Sequence, residues 1–317
     1  MITCKIVGKI YVGNNLKYYK LKVKNENNYG LFEPQYIQRA IEAKEMNVTN
    51  IDVEKNIKDT AILYNKIKHL GILSPEKYKV IDLEDGRYII KCNDLYIFYI
   101  SNACTEVNDG DFELYFKIKN KGIDADHIKN LKVVGGNNLT TVRGLFASFE
   151  WLERLDLHNF VTEKVTDMSF MFQGMHNLKT IDTSNFCTEN VNTMYCMFGS
   201  CESIEELDLR DFDTGNVTNM NSMFNCCKNL KNISLDTFDT SKVTIMEGMF
   251  FGCEDLRTLD LSSFNVENVT NMVNMFNCCS HLSDLKFDYE LGIMTKSGEY
   301  IDRSGMFVHC TNLEQKR

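Results

Sequence analysis

Five cysteines fall in one register: Cys201, Cys227, Cys253 and Cys279 at intervals of 26 residues, and Cys310 after a slightly longer gap. Thiolates at regular spacing hold zinc or pair as disulfides. The pattern argues against zinc. No C-x-x-C pair occurs, and the doublets Cys226-Cys227 and Cys278-Cys279 aim neighbouring side chains in different directions. Phe149 and Met175 occupy the same register earlier in the chain, which marks it as an apolar column. Cysteine then reads as a small core residue. Disulfides along the column would require oxidation. No metal or other cofactor is expected.

Carboxylates form the second array. Asp156, Asp182, Asp208 and Asp260, with Ser234 interposed, each sit between two apolar positions of a short alternating segment. That alternation turns them outward. Stacked like charges repel, so either turn groups hydrogen-bond these acids or the stripe faces a basic surface or a cation. Calcium would need more convergent oxygens than this. Two further outward columns vary in chemistry: His158, Ser184, Arg210, Asp236 and Ser262 form one, and Lys179, Glu205, Lys231 and Arg257 the other. Both are candidates for choosing a partner, with plain solvated surface as the alternative. The six histidines form no metal-type pair. No G-x-S-x-G, P-loop, H-E-x-x-H or G-x-G-x-x-G motif is present. Val133-Val134-Gly135-Gly136-Asn137-Asn138 lacks the Lys and Ser/Thr of a phosphate loop and reads as a turn between domains. Asn-Val-Thr at 216–218 and 268–270 belongs to the repeat, with Val as core and Asn and Thr serving turns and ladders.

These arrays need a scaffold that repeats. Met-Phe pairs at Met171, Met197, Met223, Met249 and Met275 supply it, again at 26-residue spacing, with Leu145-Phe146 before them and Met306-Phe307 after. A fixed period of this size marks stacked units that cannot bury their apolar faces alone. Aligned columns stay apolar. One runs Leu152, Leu178, Ile204, Leu230, Leu256, Leu282, and another Phe160, Phe186, Phe212, Phe238, Phe264. The L-x-x-L-x-L opening suits a short strand. Met-x-x-Met-Phe has the i, i+3, i+4 spacing of a helical turn. Each unit reads as strand, turn, extended segment, helical turn and turn, with coils stacked at roughly 4.8 Å. Leu131, Val134, Leu139, Val142 and Leu145-Phe146 place one faint extra unit in the same columns.

Residues 207–224, Leu-Asp-Leu-Arg-Asp-Phe-Asp-Thr-Gly-Asn-Val-Thr-Asn-Met-Asn-Ser-Met-Phe, resemble the BspA-type leucine-rich repeat, and residues 259–276 match as closely. The class is also seen in mycoplasma lipoproteins and in surface proteins of gut and oral bacteria. The resemblance covers about 60% of the chain. It implies a leucine-rich-repeat-like α/β solenoid of about six to seven 26-residue coils over 127–317, and a protein-interaction role, often adhesion.

Residues 1–126 do not repeat and read as an α+β domain, possible to divide into two subdomains near 54–75. Strands are expected at Lys5–Val12, Leu16–Val23, Asn47–Val53, Tyr78–Leu83, Arg87–Cys92, Leu95–Ile100 and Phe112–Lys119. Helices are expected after Pro34 and over Asp59–Leu70. Residues 150–290 hold 23 acidic and 9 basic side chains, a net of −14 within a chain of −9. That acidity disfavours nucleic acid as the solenoid's partner. No run reaches the ~18 apolar residues of a membrane span, and the start shows no signal-peptide pattern. Twelve cysteines without such a signal point to a reduced, cytoplasmic setting. A cell-surface or secreted protein whose signal lies upstream is the alternative. The expected function is a non-enzymatic scaffold whose acidic, rigid solenoid recognises another macromolecule, most simply a protein. The alternatives are a surface adhesin, or an enzymatic or nucleic-acid-handling domain at the amino terminus with the solenoid as recruitment module.

Overall fold

The computed structural model describes residues 2–12, 15–23, 29–32, 46–50, 78–83, 87–92, 95–100, 104–105, 113–288 and 294–314. The chain divides into two compact units, Met1–Val80 with Ile90–Asn93, and Ile81–Ile89 with Asp94–Arg317. The first holds a four-stranded sheet of β1 (Ile2–Val12), β2 (Asn15–Val23), β3 (Tyr29–Phe32) and β4 (Met46–Asn50) in the order β3-β2-β1-β4. β1 and β2 pair antiparallel, while β4 runs parallel to β1. The two expected helices and the proposed division near 54–75 lie outside the described residues.

β5 (Tyr78–Asp82), β6 (Arg87–Cys92) and β7 (Leu95–Ile100) match the expected strands and continue into β8 (Asn130–Gly135) and β9 (Arg154–Phe160) as a five-stranded sheet in chain order. Phe112–Lys119 is a correction: Glu113–Asn120 is a helix, α1. Its apolar residues alternate, which mimics a strand, but Leu114 and Ile118 are also four apart and both are buried. Gly122, at φ +75°, ends the helix, and Ile123 N–H closes back on the Ile118 carbonyl. Leu114 and Ile118 join the same apolar core as Phe98 and Phe146, so this core runs unbroken through residue 126.

The repeats form a β-rich, solenoid-like stack. Short parallel strands β10 (Glu206–Asp208), β11 (Asn232–Ser234), β12 (Thr258–Asp260) and β13 (Asp284–Lys286) recur in register, with β10 paired to β11 and β12 to β13. A second line of parallel bridges joins Thr141, Asp167, Thr193, Asn219, Ile245, Asn271 and Asp302. The extra unit before Trp151 is present but its strand is out of phase. Leu131 pairs with Leu155, not Leu157, and a register shift follows Lys132. Gly135 is no interdomain turn. It ends β8 against β7, where an added Cβ would meet the Ile100 carbonyl.

The Met-x-x-Met-Phe segments are not helical turns. Phe170, Cys196, Ser222, Gly248 and Asn274, between the two methionines, all adopt φ of +52° to +59°. This reversal sends alternate N–H groups to the next coil: Phe172 N–H binds the Met197 carbonyl, and Phe198 N–H that of Met223, both at 2.9 Å. The N–H of the second methionine bonds three residues back instead, as Met197 does to Met194. Both methionines and the Phe therefore point inward without a helix. A short helix, α2 (Thr311–Glu314), follows the last coil.

Side chains stack as the backbone does. Phe146, Phe172, Phe198, Phe224, Phe250, Phe276 and Phe307 form one file, with ring centroids 5.4–5.9 Å apart and planes within 22° of parallel. Aromatic pairs in such offset contact add stabilisation beyond the area they bury. Buried Thr188, Thr214 and Thr240 donate to the Asp213, Asp239 and Asn265 carbonyls of the following coil at 2.9–3.0 Å. Asn216 and Asn268 donate to the Glu189 and Ser241 carbonyls of the preceding coil. The Asn-Val-Thr triplets are thus rungs between coils.

Candidate functional site

The cysteine column is sealed. Cys201, Cys227, Cys253, Cys279 and Cys310 are fully buried, and each thiol donates to the carbonyl of a Phe in the preceding coil: Phe172, Phe198, Phe224, Phe250 and Phe276, at 2.9–3.2 Å. Burial pushes the Cys201 thiol up to about 12 and raises those of Cys227, Cys253 and Cys279 as well. Protonated thiols donate hydrogen bonds, and this column supplies a second donor to inward carbonyls that already accept the backbone N–H three residues on. Among the described residues no group of three or more His, Cys, Asp and Glu converges to hold a metal ion.

The aspartate column lies outside, where its side chains make turns. Asp156, Asp182, Asp208 and Asp260 each accept the backbone N–H two residues on, from His158, Ser184, Arg210 and Ser262, at 3.0–3.3 Å. Such bonds fix the chain reversal after each strand. Cations then neutralise most of the column. Lys132 Nζ lies 2.6 Å from Asp156, Arg210 grips Asp208 through Nε and Nη2 at 2.8 and 2.6 Å, and Lys286 Nζ lies 2.8 Å from Asp260. The bonds from Arg210 hold the Asp208 carboxyl down at about 2, and Lys286 with Ser262 does the same for Asp260. Asp182 is lowered by the Ser184 hydroxyl and backbone. Asp156 is lowered too: burial opposes this, but Lys132 and the His158 N–H outweigh it.

The other candidate columns are equally exposed. Charge alternates along one of them: Lys129 pairs with Glu153 at 2.6 Å, and Lys231 with Glu205 at 2.7 Å. Lys179 lies close enough to lower both glutamates. Arg257 contributes its carbonyl, which accepts Ser283 N–H. Asp236 takes the Ser234 hydroxyl at 2.7 Å, replacing the turn bond that an aspartate at 234 would make.

Only part of the candidate set shares one concavity. The outward faces of β10–β13 line a shallow open groove of about 730 Å³. It brings together Asp208, Arg210 and Asp260 with Glu206, Asn232, Ser234, Thr258, Asp284 and Lys286. Asp156, His158, Lys179, Asp182, Glu205, Lys231, Asp236 and Arg257 do not line it. The column Glu206, Asn232, Thr258 and Asp284 was not singled out from sequence. It shares a face with the aspartates because it lies two positions earlier on each strand, and alternation alone implies this. The floor is Leu207, Ile233 and Leu259.

No helix among the described residues is long and apolar enough to cross a membrane. No curated protein and no solved structure matches the chain. A family model matches it twice, over residues 118–230 and 200–316, so that its repeats are covered end to end. With well over half of its length matched, the chain belongs to the family described as Mycoplasma protein of unknown function, DUF285.

Proposed function

We propose that this chain is a non-enzymatic protein-binding scaffold, built as a BspA-type, leucine-rich-repeat-like solenoid that recognises its partner on the strand face of β10–β13. The observation that carries this reading is the groove over those strands. Its walls are exposed polar side chains on backbone that is hydrogen-bonded coil to coil, above a fully buried file of Phe, Met and Cys. A partner meets a surface already in its binding conformation, which lowers the entropy lost on association. The groove presents ion pairs, hydroxyls and amides. These groups suit recognition.

The test is affinity capture from lysate of the native cell with the full-length chain, wild type against a variant carrying both Asn232→Arg and Thr258→Arg. Both residues are exposed, so the long side chains obstruct the groove without entering the core. Specific proteins held by the wild type and lost by the variant support the reading. Capture that is indifferent to the obstruction contradicts it.

A further inference from the structure

The groove carries more information than its shape. Its charges divide into two classes. Arg210 with Asp208, and Lys286 with Asp260, are closed pairs that leave no net charge. Glu206 and Asp284 make no ion pair among the described residues. They stand on the same outward column, three coils apart, with uncharged Asn232 and Thr258 between them. Three coils at roughly 4.8 Å separate the two carboxylates by about 14 Å. An extended polypeptide rises about 3.4 Å per residue and returns its side chains to one face every second residue. Residues i and i+4 of such a segment share a face and lie about 14 Å apart. Asn232 and Thr258, between the carboxylates, are polar and neutral, and they suit backbone amides and short side chains.

We infer that the partner presents an extended segment with two basic side chains four residues apart, laid along the stack so that one meets Glu206 and the other Asp284. This rests on the binding role proposed for the groove and names the chemistry of its occupant. The closed pairs hold Arg210 on Asp208 and Lys286 on Asp260, and the column's neutral middle sets the spacing.

Fluorescence anisotropy with the full-length chain at low salt tests it. The probe is a labelled peptide with the core Lys-Thr-Ser-Thr-Lys, compared with an isomer of the same composition whose lysines are adjacent, and with a peptide whose lysines are replaced by glutamine. The spaced peptide should bind about fivefold tighter than its isomer, as expected for two partly exposed ion pairs, and the preference should shrink as salt rises. Combined Glu206→Gln and Asp284→Asn should abolish the preference. Equal binding of the two isomers, or a preference that survives the double variant, overturns the inference. Binding of the glutamine peptide as tightly as the spaced one, lost on Thr258→Arg, overturns the basic segment but leaves the binding face standing. If no peptide binds, the inference fails, and the capture experiment decides the binding face separately.

Discussion

The Cys253 thiol donates to the Phe224 carbonyl of the preceding coil, with Sγ 3.2 Å from the oxygen. The same bond recurs down the column, so a row that resembles a metal ladder in sequence is a row of interior hydrogen bonds. An ordinary thiol titrates near 9.0, and burial lifts Cys201 to about 12. The folded state therefore keeps a proton that the unfolded chain loses. Stability from this group is complete below pH 9.0 and drains away as pH rises towards 12. Urea midpoints measured from pH 8 to 11 should fall, and less steeply in Cys201→Ala. A midpoint flat across that range would contradict the sealed column.

Native thiol labelling gives a kinetic counterpart. Among the described residues Cys187, Cys226 and Cys278 are partly exposed and should react before the buried column with a thiol-specific disulfide reagent. Cys201, Cys227, Cys253 and Cys279 should react only at the rate of opening. Mass spectrometry of labelled peptides reads the order directly, and early modification of Cys253 would show that its coil is open.

Phe224 stacks between Phe198 and Phe250, with centroids 5.8 and 5.4 Å away. Phe224→Ala should cost about 3–5 kcal/mol by lost burial and a residual cavity, and Phe224→Leu distinctly less. Equilibrium unfolding measures both. A loss below about 1 kcal/mol for alanine would mean that neighbouring coils collapse into the space.

Period and polarity made the stack legible, because each column repeats one environment many times. Met197 and Phe198 are inward in every reading. The backbone path from Met194 to Met197 was not legible. Met-x-x-Met-Phe satisfies helical spacing, and only the left-handed φ shared by Cys196, Ser222 and Gly248 separates a coil reversal from a helix. A glycine and an asparagine in that column hinted at it. In the groove, Asp208 and Asp260 were found by their register, but their neutralisation was not. Arg210 lies two residues from its acid, whereas Lys286 reaches Asp260 from the next coil. Glu206 and Asp284 were missed because their column changes residue type in each coil.

That reversal supplies a backbone prediction. Gly248 has φ +55°, a conformation in which a β-branched side chain is strained. Gly248→Val should destabilise by about 1–3 kcal/mol, whereas Gly248→Asn, the residue that Asn274 places in the same column, should cost much less. Thermal unfolding of the two variants ranks them, and equal losses would locate the damage in packing and not in φ.

Acid titration tests the aspartate turns. Asp208 and Asp260 sit at about 2, against an ordinary 3.8. Their contribution is present above 3.8 and lost as pH falls towards 2, since the unfolded chain takes up protons first. Unfolding midpoints should decline across that window. Asp260→Asn should flatten the decline, and an unchanged slope would remove Asp260 from the turn's support.

The central claim is that partners engage the strand face of β10–β13, and site-specific photocrosslinking tests it most directly. A benzophenone amino acid is placed at Thr258, in the groove, or at Ser222, on the coil-reversal segment, and the chain is irradiated in lysate of the native cell. The account predicts discrete crosslinked partners from position 258 and none in common from 222. Partners caught from 222 with 258 silent would place recognition on another surface and contradict the account.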